Sequence, residues 1–350
     1  MDFFPCFLLL LALSSFADAV SVTYYVSPNK GSDVDNTGIS SSSPWATVST
    51  ATERISAYLS ESSNGITSVS LLLERDSVFI NDPLAILSHA SAAKISIGAY
   101  GNSSLPRPLL QQSRALVSLG TACIHINSPA STGLTVQNIR FSGCSRGLVI
   151  AGNPSQTQKT TNVLISSNIF TDIRTPFLRY TPPNPKWAQA ITLDGGNFEN
   201  VTVKNNIGVR CDVFFESRAH VVNMDLDSNT VQQCSGNCYG MGVGVGLTLR
   251  NSVFLRDMST RLFSYGTTDV IIGTISGANS LINNDFNRRG EYQGGPDGCA
   301  FDFETSATGC NPSMHGDINK RHCINKRHFA CAFCSCNHFA CAYYYYYYYY

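Results

Sequence analysis

Residues 201–231, VTVKNNIGVRCDVFFESRAHVVNMDLDSNTV, carry one short phrase twice. Each copy alternates apolar and polar residues, reaches an asparagine and then returns to apolar residues. The last asparagines of the two copies, Asn206 and Asn229, are 23 residues apart. Alternation with a period of two, in segments rich in Val, Ile, Leu and Thr, is typical of half-buried β-strands. The stretch therefore predicts two successive coils of a repeat that is built from strands.

Four further copies of this phrase occur elsewhere in the chain. They are LTVQNIRF (134–141), VLISSNIF (163–170), LTLRNSVF (247–254) and SLINNDF (280–286), and their last asparagines are Asn138, Asn168, Asn251 and Asn284. The shortest steps between successive asparagines are 22 and 23 residues, which is too short for two packed helices but long enough for three short strands. We therefore predict a β-solenoid, in which stacked coils bury a common core.

Asparagine suits the corner between two strands of such a coil. Its backbone tolerates a left-handed conformation, and its side chain forms local hydrogen bonds. In successive coils these side chains can also stack into a ladder. We interpret the asparagines as structural corner residues without a role in ligand binding.

The first 19 residues have the pattern of a signal peptide. An apolar run covers residues 3–13, and Ala17-Asp18-Ala19 supplies the small residues that a signal peptidase reads. The run is too short to span a bilayer. We expect a signal peptide at residues 1–19 and a secreted, extracellular protein from residue 20 onward.

Composition agrees with a secreted β-rich protein. Charged residues are only 14% of the chain, and the formal net charge is zero. No basic run lies beside a platform of aromatic residues, as a single-strand binder requires. We expect no nucleic-acid partner, no membrane partner and a monomeric state. Asn102 and Asn200 each begin an Asn-Xaa-Ser/Thr sequence and are predicted glycosylation sites.

The segment TYYVSPNKGSDVDNTGISSSSPWATVSTATERI, residues 23–55, follows the predicted signal peptide. Its Gly31-Ser32-Asp33, Gly38 and Pro44-Trp45-Ala46-Thr47 resemble the N-terminal entry of secreted proteins of the pectin-lyase-like superfamily. The resemblance implies an all-β, single-stranded right-handed parallel β-helix and an extracellular polysaccharide as partner. Lyases, hydrolases and catalytically silent proteins share this entry, so it implies a fold more than a reaction.

Two further segments are predicted at the ends of the solenoid. Residues 46–59 have apolar residues four positions apart, which predicts an amphipathic helix that caps the N-terminal end. We place the β-helix domain at residues 20–312. Residues 313–350 repeat INKRH and HFACA and end in eight tyrosines, so we interpret them as a low-complexity Cys/His/Tyr tail that is disordered or foreign to the fold.

Acidic residues mark a second strand that follows the Asn phrase in several repeats. Alternation places the acids of AITLDGG (190–196) and VFFESRAH (213–220), Asp194 and Glu216, on the outer face. Because these two acids are 22 residues apart, we expect them on adjacent coils with backbones roughly 4.8 Å apart. Their neighbours along the predicted face are also catalytic candidates, namely Arg218, His220, Asp302 and Glu304.

A row of closely spaced carboxylates has two chemical uses. It binds a hard cation such as Ca²⁺, or it raises one carboxyl pKa for acid–base chemistry. The plainer interpretation is a solvated polar face on which Arg218 pairs with a neighbouring acid. Two insertions, at residues 174–189 and 287–298, either line a groove over this face or only cover edges. The substrate-binding candidates near this face are Arg179, Tyr180, Lys186, Trp187 and Tyr265.

These features predict a protein that acts on or binds extracellular polysaccharide. The Asn-Thr-Asp, Asp-Asp and Gly-His-Gly phrases of polygalacturonase-type proteins are missing from the sequence. A lyase for uronate glycans is the finer hypothesis, favoured over a glycoside hydrolase. The alternative is a non-catalytic extracellular structural or glycan-binding solenoid. We also predict a disulfide between Cys211 and Cys234, which fall at similar places in successive coils.

Overall fold

Short strands recur in threes along the computed structural model. The structure describes residues 20–60, 66–86, 93–113, 122–127, 131–152, 159–174, 188–234, 238–257, 270–276, 280–282, 284–289, 301–303, 313–315 and 324–326. In chain order the elements are β1 (Val20–Val26), α1 (Val48–Ser60), β2 (Ile66–Glu74), β3 (Val78–Ile80), β4 (Leu84–Ile86), β5 (Lys94–Tyr100), β6 (Leu109–Gln111), β7 (Ala122–Asn127), β8 (Leu134–Gln137), β9 (Arg140–Ser142), β10 (Arg146–Ala151), β11 (Thr160–Ser166), β12 (Ile169–Thr171), β13 (Gln189–Asp194), β14 (Asn197–Lys204), β15 (Ile207–Val209), β16 (Val213–Asp227), β17 (Thr230–Gln232), β18 (Tyr239–Arg250), β19 (Val253–Asp257), β20 (Val270–Ser276), β21 (Ser280–Ile282), β22 (Asp285–Arg289), β23 (Phe301–Phe303), β24 (Ser313–His315) and β25 (Ile324–Lys326).

The strands form three parallel stacks, and from β2 to β20 each coil contributes one strand to each stack. Stack 1 contains β1, β2, β5, β8, β11, β14, the second halves of β16 and β18, β21 and β24. Stack 2 contains β3, β6, β9, β12, β15, β17, β19 and β22. Stack 3 contains β4, β7, β10, β13, the first halves of β16 and β18, β20, β23 and β25. The fold is the predicted right-handed parallel β-helix.

The apolar positions of the repeated phrase form the core along stack 1. Val163, Val201, Met224 and Leu247 occupy one register position in successive coils, and all four are buried. Burying one such side chain stabilises the fold by roughly 1.5–3 kcal/mol. Because every coil repeats the contribution, the period seen in the sequence is the period of the core.

Aromatic rings fill the core beside stack 2. The rings of Phe141 and Phe170 stack with centroids 4.6 Å apart. In the next coil this position is Gly208, and a Cβ atom there would lie 2.3 Å from the ring of Phe214. Phe214 enters from stack 3 and takes the space that a side chain at Gly208 would need. The core therefore stays filled although the aromatic column of stack 2 is interrupted.

The asparagines of the repeated phrase occupy two successive corner positions between stacks 1 and 2. Asn138 and Asn251 take the first position, where φ is +60° and +51°. Asn168, Asn206 and Asn229 take the next position and point into the core, where they are fully buried. Each buried side chain donates to the amide oxygen of the next, at 3.1 Å for both steps. Both predicted roles, left-handed corner and ladder, are therefore present.

The entry segment around Trp45 explains the residues of the family resemblance. Asp33 accepts hydrogen bonds from the backbone N–H of Ala46 (2.8 Å) and Thr47 (3.1 Å), just before α1 begins. Partial burial opposes the charge of Asp33, but the hydrogen bonds from Thr47 and Ala46 outweigh it and hold its pKa below the ordinary value. Gly38 has φ +72°, and a Cβ atom there would lie 2.4 Å from the indole ring of Trp45. These residues build the entry to the fold.

The predicted helix is α1. It buries Ala51, Ile55 and Leu59, four residues apart, as the sequence indicates. Asp82 accepts hydrogen bonds from two N–H groups of its first turn, those of Val48 and Ser49. The role of this helix as an end cap stays a prediction.

Beyond residue 312, β24 and β25 continue stacks 1 and 3, and the domain boundary at that residue also stays a prediction.

The disulfide prediction is wrong. The disulfide in the described residues joins Cys123 to Cys144, with Cα atoms 5.9 Å apart, while Cys211 and Cys234 are separate buried thiols. Cys211 and Cys234 lie two residues beyond β15 and β17, which pair in register. Parallel strands at such positions hold equivalent Cβ atoms roughly 4.8 Å apart, beyond the mean of about 3.8 Å in a disulfide.

Candidate functional site

Charged residues from successive coils meet on the outer face of stack 3. We call this group the stack-3 patch, which consists of His125 on β7, Arg146 on β10, Asp194 on β13, and Glu216 and Arg218 on β16. The four strands are neighbours in the stack, so the patch extends over roughly 14 Å. Three of its five residues are sequence-predicted candidates.

The register within the patch differs from the predicted one. Glu216 pairs with Thr192, and Asp194 lies two residues further along β13. The coil between these strands therefore advances by 24 residues and not by 22. Because the observed and the predicted register differ by two residues, which is an even number, both carboxylates still point outward. Their backbones are diagonal neighbours, roughly 7–8 Å apart.

Each carboxylate of the patch faces an arginine. Arg218 donates two hydrogen bonds to Glu216, from Nε to Oε1 at 2.8 Å and from Nη2 to Oε2 at 3.1 Å. These bonds raise the pKa of Arg218, and partial burial opposes them. Arg146 Nη1 lies 3.5 Å from Asp194 Oδ2, which is an ion pair longer than an ordinary hydrogen bond. The patch therefore contains one tight pair and one loose pair.

His125 is the titratable group beside the Arg146–Asp194 pair. It lies between buried Ile124 and Ile126, so its half-buried ring points to the outer face. Burial lowers the pKa of His125, the positive charge of Arg146 lowers it further, and Asp194 opposes both. The imidazole is therefore neutral at neutral pH and can accept a proton.

Thr192 lies in the floor of the patch, beside Glu216 in register. Its side chain is fully buried although it alternates with the inward residues Ile191 and Leu193. Its Oγ1 has no hydrogen-bond partner among the described residues. A buried hydroxyl without a partner is costly, so this atom is a donor and acceptor that the described part of the chain leaves unused.

The remaining catalytic and binding candidates are not part of this patch. His220 is exposed at the border of stacks 3 and 1, where an irregularity after Ser217 shifts the register. Asp302 shares the register row of Glu216, but the two strands between them place the uncharged residues Gly240 and Ile271 in that row, so Asp302 does not continue the charged group. The candidates outside the described residues are Glu304, Arg179, Tyr180, Lys186, Trp187 and Tyr265.

Sequence reasoning missed His125 and Arg146. The signal for His125 was its place in ACIHIN, where period-two alternation turns it outward. Arg146 begins a strand without acidic residues, so no pattern connected it to Asp194. Both positions become visible only when the coils are aligned through the strand pairings.

Calcium binding was one of two uses considered for the row of carboxylates, and the described residues do not form a site for this ion. No group of three or more His, Cys, Asp or Glu in this part of the chain could hold a metal ion. Ca²⁺ requires six to eight oxygen ligands, whereas Asp194 and Glu216 are each engaged by an arginine. The residues of the patch therefore do not fit this ion.

The two predicted glycosylation sites differ in environment. Asn102 lies in an exposed turn, where its Oδ1 accepts a hydrogen bond from the Ser104 hydroxyl at 2.8 Å. Asn200 belongs to an outer row of asparagines and donates to Asn162 at 3.4 Å. Glycosylation at either residue stays a prediction.

In the described part of the chain, no helix is long and apolar enough to cross a membrane.

No protein-family model matches the chain, and no curated protein sequence matches it. Among solved structures, it is similar to a GH136 lacto-N-biosidase from Eubacterium ramulus, with 13% identity, coverage of 77% of this chain and 67% of that chain, and a TM-score of 0.30. It is also similar to an alginate lyase from Paenibacillus sp. str. FPU-7, with 11% identity, coverage of 69% and 95%, and a TM-score of 0.26. Likenesses this distant carry no argument. The strand pairings define the class of protein, a parallel β-helix with a charged patch on one face.

Proposed function

We propose that the chain is a secreted member of the pectin-lyase-like superfamily that acts on an acidic extracellular polysaccharide at the stack-3 patch. The observation that carries the proposal is that two guanidinium groups, two carboxylates and a neutral imidazole lie along one β-helix face, on four neighbouring strands. An extended face of this kind suits a linear polymer, because successive coils repeat contacts along it.

Arg146 is the residue that we assign to the carboxylate of a uronate unit. Guanidinium groups bind carboxylates with a two-pronged geometry. Arg218 already donates two hydrogen bonds to its own neighbour Glu216, whereas Arg146 has only the 3.5 Å contact with Asp194. Arg146 therefore gives up less when it turns toward a substrate.

The reaction that fits this arrangement is β-elimination. A base removes the proton on C5, α to the uronate carboxyl, the C4–O bond breaks as the C4–C5 double bond forms, and solvent water supplies the proton that the departing oxygen takes. His125 is the proposed base, because its lowered pKa leaves the ring unprotonated at neutral pH. Arg146 stabilises the negative charge that develops on the carboxyl group. No step requires a metal ion.

A non-catalytic glycan-binding solenoid is the second candidate. The tight Glu216–Arg218 pair favours it, because a solvated polar face shows the same pairing without any reaction. In this candidate the patch binds polymer by hydrogen bonds and ion pairs, and His125 has no chemical task.

Turnover of acidic and neutral polysaccharides by the full chain separates the candidates. Unsaturated products are followed by ultraviolet absorbance, and reducing ends are counted in parallel. We expect both to rise on a uronate polymer and to fall about 100-fold or more in His125→Gln, the effect typical of losing a catalytic base. His220→Gln is the matched control, since this exposed histidine lies outside the patch.

The other outcomes are equally informative. Reducing ends without unsaturated products indicate a hydrolase and contradict the elimination. Polymer binding without any product favours the glycan-binding candidate. If His125→Gln and His220→Gln have the same activity, the stack-3 patch is not the site of reaction.

A further inference from the structure

A second group of arginines lines a pocket at the corner between stacks 1 and 2. The pocket has a volume of about 460 Å³, which is within the usual range for small-ligand sites. Arg75 follows β2, Arg107 precedes β6, and Arg140 begins β9. We call this group the arginine pocket, and it also includes Ser103 and Ser104.

A long corner builds the wall of the pocket. The corner between β5 and β6 covers residues 101–108, whereas the same corner between β8 and β9 is only Asn138 and Ile139. Arg75 donates from Nη1 to the carbonyl of Leu105 at 3.0 Å, and Arg140 donates from Nε to the carbonyl of Arg107 at 3.0 Å. The coils on both sides therefore fix the long corner before any ligand arrives.

No carboxylate among the described residues compensates the positive charge of the pocket. Arg146, Arg210, Arg218 and Arg250 each form an ion pair with a carboxylate. In the same described residues, Arg75, Arg107 and Arg140 form none, and no acidic residue lines the pocket.

Arg107 is the member with the least support from its surroundings. Its guanidinium donates no hydrogen bond to any described residue, and its side chain is half-buried. Burial lowers the pKa of Arg107, and the positive charge of Arg75 lowers it further. Half-buried like charges repel unless an anion lies between them.

We infer that the arginine pocket is a binding subsite for the acidic group of a carbohydrate, separate from the stack-3 patch. The guanidinium groups of Arg75, Arg107 and Arg140 bind the carboxylate or sulfate oxygens, and the hydroxyls of Ser103 and Ser104 bind sugar hydroxyls. The choice of carbohydrate rests on the proposed function. The anion itself follows from the pocket alone.

The surface of the pocket also suits a sugar ring better than a bare ion. Leu105, Pro106 and Ile169 add apolar surface beside the charged groups. Ligand sites typically combine such surface with a few placed polar groups. A sugar acid has both an apolar ring face and a charged substituent, whereas inorganic sulfate uses only the cations.

Calorimetric titration of the full chain with four probes tests the inference. The probes are a uronate oligosaccharide, a sulfated oligosaccharide, a neutral oligosaccharide of equal length, and inorganic sulfate. We expect an acidic oligosaccharide to bind and Arg107→Gln to weaken it about tenfold or more, since a charge-assisted hydrogen bond is lost. The tighter of the two acidic probes identifies the acidic group.

Two variants make the result specific. Arg54→Gln removes one positive charge from the exposed face of α1 and is expected to leave affinity unchanged. Arg107→Lys keeps the charge and is expected to recover part of the affinity. Because the predicted glycan at Asn102 lies next to Ser103, titrations are made before and after enzymatic removal of N-glycans.

Three results overturn the inference. They are equal binding of the neutral oligosaccharide, unchanged affinity in Arg107→Gln, and binding of inorganic sulfate without binding of either acidic oligosaccharide. His125→Gln separates this inference from the proposed function. If that variant loses turnover but keeps affinity in the arginine pocket, both stand, whereas normal turnover in it contradicts only the catalytic proposal.

Discussion

The stack-3 patch and the arginine pocket both contain arginines, but they differ in what those arginines face. In the patch, Arg146 and Arg218 each lie against a carboxylate. In the pocket, Arg75 and Arg140 donate to backbone carbonyls, which are neutral. The charges of the patch therefore cancel, and its neutral imidazole can accept a proton. The pocket holds net positive charge that no carboxylate of the described residues neutralises.

Reversing one charge in the pocket gives the largest expected effect. Arg107→Glu is expected to lower affinity for an acidic oligosaccharide about 100-fold, because an attraction becomes a repulsion. Calorimetry measures the affinity, and turnover on a polymer is measured with the same sample. A matching loss of turnover would contradict the separation of the two sites.

The dependence on pH separates the two sites next. Because burial and then Arg146 lower the pKa of His125, we expect turnover to be retained from neutral pH to below the ordinary histidine value. Below its pKa the ring is protonated, and turnover falls about tenfold per pH unit. Affinity at the arginine pocket stays constant between about pH 5 and 8, because arginine remains charged there. Parallel rate and affinity profiles test this difference, which is wrong if both fall together.

Salt concentration is expected to change the two sites differently as well, but by less than pH does. Between about 0.05 and 1 M salt, affinity at the pocket decreases several-fold, because the Debye length shortens from over 10 Å to about 3 Å. The patch has no net charge, so its turnover is expected to change less than about twofold. Titrations and rates at four salt concentrations measure both. Equal salt dependence would show that the charge of the pocket does not drive binding.

Stability gives the smallest effect, and its sign differs between the sites. Arg218→Gln removes a partly exposed ion pair and is expected to lower the free energy of unfolding by about 0–1 kcal/mol. Arg107→Gln relieves repulsion from Arg75 and is expected to leave that free energy unchanged or slightly higher. Denaturant unfolding of the two variants and Arg54→Gln provides the measurement. A clear loss in Arg107→Gln would mean that the guanidinium holds the corner together.

The fold was predictable because every coil buries apolar side chains at the same positions of its strands. Period-two alternation identified the strands, and the spacing between Asn206 and Asn229 identified the coil. The sequence also placed Asp194 and Glu216 on one face, although it set their register two residues wrong. A coil length that varies by one or two residues cannot be read from spacing alone.

The arginine pocket and the disulfide were not predictable in this way. Arg75 directly follows β2, Arg107 lies two residues before β6, and Arg140 is the first residue of β9, so the three occupy unequal positions of their coils and the repeated phrase does not align them. Cys123 and Cys144 likewise lie at different positions of successive coils, and their approach depends on the turn between them. Features built from equivalent positions follow from the repeat, whereas features built from unequal positions require coordinates.

The buried asparagine ladder has a consequence for how such a chain changes in length. Each rung donates its side-chain N–H to the amide oxygen of the next coil and accepts with its own oxygen from the coil before, so Asn206 accepts from Asn168 and donates to Asn229. Where Ser252 takes the place of the asparagine, the backbone N–H of Asn229 donates to the Ser252 hydroxyl at 3.3 Å. Duplication or loss of a whole coil therefore leaves every rung with a partner, whereas an insertion inside the corner leaves one without. Evolution can lengthen this protein by coils more readily than by residues.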